Sequence, residues 1–199
     1  MRAVNEFRVD LSRVLALHVA DWPGTSPTIV LVHPNRTINR VWDHVVAASR
    51  LPHRFLAPGL RGHGASDYPS QGYHLTDHRD DLIDFIESLG AGPVFLVGQA
   101  IGAMLALMIA RWRPDLVRDH SMAIRTDRPV LVFGGAEATV LPSTIVDRVC
   151  ALLANHRRAV LPAADHRLSQ DNPAGFAALM DCFVLAQGRT WFSESGTAG

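Results

Sequence analysis

The sequence is poor in the features that mark several classes of protein. Its 199 residues include two cysteines, Cys150 and Cys182, too few for a disulfide framework, so we expect free thiols in a reducing compartment. Lysine plus arginine and aspartate plus glutamate number 19 each, which leaves no excess charge to attract nucleic acid or an anionic membrane. The first residues, MRAVNEFRVD, contain no apolar run of the signal-peptide kind, and we therefore expect a cytoplasmic protein.

Long hydrophobic runs are also scarce. The longest, residues 93–110, is almost entirely apolar, but a membrane-spanning helix needs about 20 such residues. This run begins with Pro93 and is interrupted by Gly98 and Gln99. A buried strand followed by a buried helix is therefore the better interpretation.

What the sequence does contain is a regular alternation of apolar strands and amphipathic helices. Two antiparallel edge strands are expected within residues 5–20. The predicted core strands are 28–34, 53–60, 94–97, 128–135 and 158–161, and the predicted helices are 40–50, 76–89, 101–111, 143–154 and 173–186. The pattern is typical of an α/β domain with a mostly parallel sheet covered by helices on both faces. We expect one such domain over residues 1–186, followed by a disordered tail over 187–199.

The stretch VFLVGQAIGAM has the form of a nucleophile elbow, the sharp strand-to-helix turn that presents a nucleophile. In the pattern G-x-S-x-G, the residues two before and two after the centre must be small, and here they are Gly98 and Gly102. The central residue is Ala100, which has no nucleophilic atom. The N–H of Ile101, at the start of the helix, would still provide one half of an oxyanion hole.

The loop after the first core strand, His33-Pro34-Asn35-Arg36, carries the candidate for the other half. Pro34 has no N–H, so Asn35 is the candidate donor. His33 would either line the substrate pocket or orient this loop. We also expect Gln99, beside the centre of the elbow, to contact the substrate.

An acid and then a histidine follow the elbow in the sequence. Glu137 comes just after the fourth core strand, and His166 lies in the loop after the fifth. The order nucleophile, acid, base is that of one family of serine hydrolases. His166 would be the general base and Glu137 would fix its tautomer, with Asp119 and Asp127 as alternative acids.

These motifs together resemble the α/β-hydrolases. The matching segments are LVHPN, LAPGLRGHGASDYP, VFLVGQAIGAM, PVLVFGGAEATVLP and AADHRLSQDNPAGFAALM. The resemblance implies that Ala100 stands at the nucleophile position, Glu137 at the acid and His166 at the base, and that Asn35 and Ile101 are the oxyanion donors. It implies a small-molecule substrate and neither a cofactor nor a metal.

The sequence departs from the family pattern at three places. Residue 100 is alanine, and Pro34 stands where glycine is usual. Only residues 111–127 occupy the place where the family usually has a further core strand and a cap domain, which predicts an open, shallow site. If a core strand is missing, the sheet has a gap, and Glu137 and His166 need not meet above Ala100.

Other residues carry weaker signals. Ser121 lacks the buried strand and framing glycines of a nucleophile, and His63 lies in a loop that is mostly structural in the family. His74 and His78 are spaced i, i+4, but no third metal ligand stands at a suitable spacing.

Three interpretations of Ala100 stay open. In the first, the chain is an esterase or lactonase whose serine has been replaced. In the second, the alanine is natural and His166 acts alone as a base, in cofactor-independent dioxygenase, cyclase or lyase chemistry. In the third, the protein binds a small molecule without catalysis.

Overall fold

The computed structural model describes residues 2–12, 15–118, 130–139, 143–153 and 155–186. The strands are β1 (Asn5–Leu11), β2 (Leu15–Trp22), β3 (Thr25–Val32), β4 (His53–Pro58), β5 (Phe95–Gly98), β6 (Val130–Gly135) and β7 (His156–Leu161). The helices are α1 (Asp43–Ala48), α2 (Leu75–Ser88), α3 (Ile101–Trp112), α4 (Ser143–Ala151), α5 (Leu168–Asp171) and α6 (Pro173–Ala186). The predicted core strands and helices are confirmed with shifted ends, whereas the short helix α5 was not predicted.

The strands of the described residues form two sheets. The first has the order β1-β2-β4-β3-β5, and the second pairs β6 with β7. β3 is parallel to both of its neighbours, β4 and β5, whereas β2 is antiparallel to β1 and β4. The expectation of two edge strands is therefore wrong for β2, which pairs on both sides and is an inner strand. Because β3, β4 and β5 are parallel, the loops that follow them meet at one edge of the sheet.

Among the described strands, β5 is the last strand of the first sheet. On one side β5 pairs with β3, and on the other the described residues give only a parallel bridge between Val94 and Val117. The Val94 N–H donates to Leu116 O, and the Arg118 N–H donates to Val94 O, both at 2.9 Å. The described strands therefore form two sheets, and residues 119–129, which separate β5 from β6 in the sequence together with α3, lie outside the described residues.

The first sheet is covered on both faces, as the sequence predicts. Ile29 and Leu31 of β3 face a core shared with α1 and α6, and Val30 and Val32 face the core of α2 and α3. All four side chains are fully buried. Burial of each contributes roughly 1.5–3 kcal/mol, so β3 anchors both cores.

Helix α6 attaches the second sheet to the first. The Phe176 ring packs edge-on against Trp42, with ring centroids 5.4 Å apart, and against Phe133 of β6 at 4.8 Å. The Asp181 carboxylate accepts hydrogen bonds from Ser49 Oγ at 2.6 Å and from Arg50 N–H at 2.7 Å. None of the helices in the described ranges has the length and apolar character needed to cross a membrane.

The loop after β4 is held by buried polar contacts. The Arg61 guanidinium forms a two-armed ion pair with Asp81 of α2, and both side chains are almost fully buried. Ser66 Oγ donates to Gly59 O at 2.7 Å and accepts from His18 N–H at 2.9 Å. These contacts make the loop a structural support for the site, as the resemblance to the family implies.

Candidate active site

The turn between β5 and α3 has the geometry of a nucleophile elbow. Ala100 has φ 52° and ψ −117°, in the left-handed half of the map that non-glycine residues rarely adopt. A Cβ at Gly98 would lie 2.3 Å from the carbonyl of Gly102, and one at Gly102 would lie 2.2 Å from Val32 O. Both positions therefore require glycine, which explains the G-x-x-x-G spacing physically.

The elbow exposes Ala100 and places the backbone N–H of Ile101 beside it. The Ala100 side chain faces solvent. The N–H groups of Gly102 and Ala103 donate to Gln99 O and Ala100 O at 2.9 and 3.0 Å. Within the described residues the Ile101 N–H has no acceptor, as expected in the first turn of a helix, so it is available to an oxyanion above residue 100.

The loop after β3 carries the second predicted donor. Asn35 is exposed, and its Oδ1 accepts from Arg36 N–H at 2.9 Å and faces His63 Nε2 at 3.1 Å. These contacts fix the Asn35 side chain and leave its own backbone N–H without an acceptor in the described part of the chain. Arg36 has φ 61°. Strain of this kind costs of the order of 1–3 kcal/mol and concentrates at functional sites.

His33 ties this loop to the loop after β4. Its Nε2 accepts from Leu60 N–H at 2.9 Å, so its Nδ1 carries the hydrogen that faces Pro34 O at 2.9 Å. The ring is fully buried, and burial lowers its pKa from 6.5 to about 4. Of the two predicted roles for His33, these contacts support orientation of the loop, since no ring atom is exposed for a substrate.

The predicted acid and base lie in adjacent loops. The Glu137 N–H donates to Ala164 O at 3.0 Å, and a Cβ at Gly135 would lie 2.1 Å from the same oxygen. Glu137 is exposed and His166 is half-buried. Their side chains make no hydrogen bond to each other in the described ranges, so the pairing of this acid with this base stays a prediction.

Asp165 joins the two loops and was not predicted as a site residue. Its carboxylate accepts from Thr139 N–H at 2.9 Å and from Thr139 Oγ1 at 3.1 Å. These contacts, the Thr139 N–H first, lower the pKa of the Asp165 carboxyl below its usual value. The only signal in the sequence was its position next to His166.

Gln99 contacts the loop of His166, although the sequence predicts a contact with the substrate. Its Nε2 donates to His166 O at 2.8 Å, and its Oε1 accepts from Ser169 Oγ at 2.7 Å. Both ends of the amide thus bind protein groups, and the side chain is buried. Whether Gln99 also contacts a substrate stays a prediction.

Of the weaker candidates, His63 contacts Asn35 in the loop after β3, and His74 and His78 lie at the start of α2. His74 begins α2, where its N–H donates to Asp77 Oδ2 at 2.8 Å. His78 is buried, and burial together with the charge of Arg61 lowers its pKa. No group of three possible metal ligands occurs in the described residues. Three further candidates lie outside those residues: Asp119, Asp127 and Ser121.

Comparison with known proteins agrees with this geometry. A family model described as "Alpha/beta hydrolase family" matches residues 29–124. The 2-(acetamidomethylene)succinate hydrolase of Mesorhizobium japonicum is 36% identical over 113 residues, which are 56% of this chain and 39% of that protein. Haloalkane dehalogenase 2 of Mycobacterium tuberculosis is 27% identical over 171 residues, 79% of this chain and 59% of that one. The chain thus spans well under two thirds of the length of these relatives.

A solved structure has the same fold. The E-2-(acetamidomethylene)succinate hydrolase superposes with a TM-score of 0.82 at 20% identity, over 92% of this chain and 100% of that chain. The strained turn at Ala100 lies within residues 29–124, which the family model matches. The chain belongs to the α/β-hydrolase superfamily.

Proposed function

We propose that this chain is a hydrolase acting on an ester or lactone of a small organic molecule, in a form silenced by alanine at residue 100. The observation that carries the proposal is the strained elbow at Ala100, with the Ile101 N–H open above it. The strained φ of 52° has no benefit for an alanine side chain. For a nucleophile at this position, the same turn exposes the reactive atom and places an oxyanion donor beside it.

The chemistry follows from the positions of the loops. A serine Oγ at residue 100 would attack the substrate carbonyl carbon while His166 takes its proton. The Ile101 and Asn35 N–H groups would stabilise the oxyanion. The alcohol leaves with the proton from His166, and water then releases the acid from the acyl-enzyme. Without the nucleophile, turnover falls by a factor of the order of 10⁶.

Similar proteins support hydrolysis as the reaction class. The curated relatives include the hydrolase of Mesorhizobium japonicum and epoxide hydrolase 2 of Siraitia grosvenorii, the latter 35% identical over 105 residues, 51% of this chain and 33% of that one. The choice of ester or lactone rests on the elbow, because a serine at residue 100 would form an acyl intermediate with either.

The test is the substitution Ala100→Ser. We expect Ala100→Ser to hydrolyse p-nitrophenyl acetate with a burst and to react with a fluorophosphonate probe, whereas the parent protein does neither. The control is Ala100→Ser combined with His166→Ala, which should lose the reaction. A folded Ala100→Ser protein that the probe does not label would contradict the proposal.

A second function has one observation in its favour. The His166 ring makes no hydrogen bond within the described residues, so it is free to take a proton directly from a bound substrate. In that case Ala100 is the natural residue, the parent protein turns over its substrate without a cofactor, and His166→Ala alone stops the reaction.

A further inference from the structure

The described strands that carry the two halves of the site belong to two different sheets. Residue 100 follows β5, whereas the predicted acid and base follow β6 and β7. In a continuous sheet, the ladder of hydrogen bonds fixes the distance between such loops. The described parts of β5 and β6 share no ladder, so other contacts must set where His166 lies relative to residue 100.

The acid loop and the histidine loop form one unit. The ladder of β6 and β7 runs up to Gly135 and Leu161. Beyond it, Thr139 bonds to the Asp165 carboxylate and Glu137 N–H bonds to Ala164 O. Whatever places one of these loops therefore places both.

The Gln99 side chain connects that unit to the elbow. Gln99 directly precedes residue 100, and its backbone N–H donates to Val32 O at 3.3 Å. Its amide binds His166 O with one end and Ser169 Oγ with the other. Gln99 is 5% exposed and Ser169 is 1% exposed, so water does not compete for these bonds. One side chain thus spans from the residue before the elbow centre to the backbone of the predicted base.

We propose that Gln99 is a positioning residue that holds the loop of His166 beside the elbow, through its hydrogen bonds to His166 O and Ser169 Oγ. This inference rests on the proposed function. Glutamine suits the position because the contact needs a donor at one end and an acceptor at the other. Methionine has a similar length and neither group, and leaves His166 O and Ser169 Oγ without their partner.

The chain offers a matched control in a second buried hydrogen bond, which links the end of α1 to α6. Ser49 Oγ donates to the Asp181 carboxylate of α6, and both residues are buried. Ser49 ends α1 and precedes β4, so it lies at the amino-terminal edge of the sheet, opposite the elbow. Its loss should lower stability without moving His166.

The first experiment needs no catalysis. In the parent protein, Gln99→Met should speed amide hydrogen exchange over residues 165–170 by about tenfold or more relative to β3 and β4. Ser169→Ala should do so to a smaller extent, and Ser49→Ala should not. The idea fails if Gln99→Met leaves exchange in this loop unchanged, or if Ser49→Ala accelerates it equally. If Gln99→Met does not fold, Ser169→Ala decides the outcome by the same comparison.

The second experiment uses the Ala100→Ser background. Gln99→Met should lower kcat for p-nitrophenyl acetate about 100-fold with KM changed less than about twofold, because misplacing a catalytic group by about 1 Å has that effect. Ser49→Ala should change kcat less than about twofold. Equal loss of kcat in both variants would overturn the inference. An inactive Ala100→Ser parent would instead refute the proposed function, and the exchange experiment would still decide the role of Gln99.

Discussion

The five-stranded and two-stranded sheets hold their parts of the site in different ways. β3 of the first sheet is buried at every position from Pro27 to Val32, whereas every residue of β6 is half-buried. The elbow and the oxyanion loop follow strands of the first sheet. The predicted acid and base follow strands of the second, which helix α6 and single side chains attach. The elbow and the oxyanion loop are therefore held by a fully buried sheet, whereas the positions of the predicted acid and base depend on a few contacts.

The same truncation in the two sheets gives the largest expected difference. Leu31→Ala on β3 should lower the free energy of unfolding by about 2–5 kcal/mol, because it opens a cavity in a fully buried core. Leu131→Ala on β6 should cost about 1 kcal/mol, since that side chain is half-exposed. Urea denaturation followed by circular dichroism measures both. Equal losses would show that the two sheets are equally well packed.

Acid should weaken the first sheet through His33. The pKa of His33 is about 4 in the folded protein, below the unfolded value near 6.5, so the unfolded state binds more protons between these pH values. The contribution of neutral His33 is fully present above pH 6.5. It is lost as the pH falls towards 4, by an amount on the order of 3 kcal/mol.

Comparison with His33→Gln isolates this effect from that of the carboxylates. We expect the stability of His33→Gln to change less between pH 7 and pH 4.5, as read from urea midpoints. His33→Gln should also be less stable than the parent at pH 7, since glutamine cannot reproduce both ring contacts. Parallel pH dependence in the two proteins would assign the acid sensitivity to other groups.

The smallest expected effect is the change in the free energy of unfolding when glycine replaces alanine at the elbow. Ala100→Gly should raise the free energy of unfolding by about 1 kcal/mol, because glycine adopts φ 52° without strain. Ala106→Gly, in the middle of α3, should lower it by about 1 kcal/mol, since glycine weakens a helix interior. Thermal unfolding measures both signs. Destabilisation by both substitutions would mean that Ala100 is not strained.

The sequence predicted the parts of the fold and site that depend on local pattern. The apolar run before Gly98 gave β5, and the two glycines gave the sharp turn at Ala100. The sequence predicted a gap in the sheet only on the condition that a core strand is missing, and residues 119–129, where that strand would lie, are outside the described residues. The hydrogen bonds of Gln99 to the His166 loop and of Thr139 to Asp165 were not predicted. Hydrophobic periodicity predicts strands and helices, but it does not show which polar side chains will pair.

What the sequence determined by itself is the order of strands and helices, the elbow and the residue types around it, because hydrophobic periodicity and glycine sterics act over a few neighbouring residues. Only the tertiary structure decided that the strands divide into two sheets and that His33 is enclosed. It also decided which contact holds the loop of His166 to the elbow. That contact joins Gln99 to Ser169, 70 residues further along the chain, and such a pairing is set by the packing of α6 and the second sheet against the first.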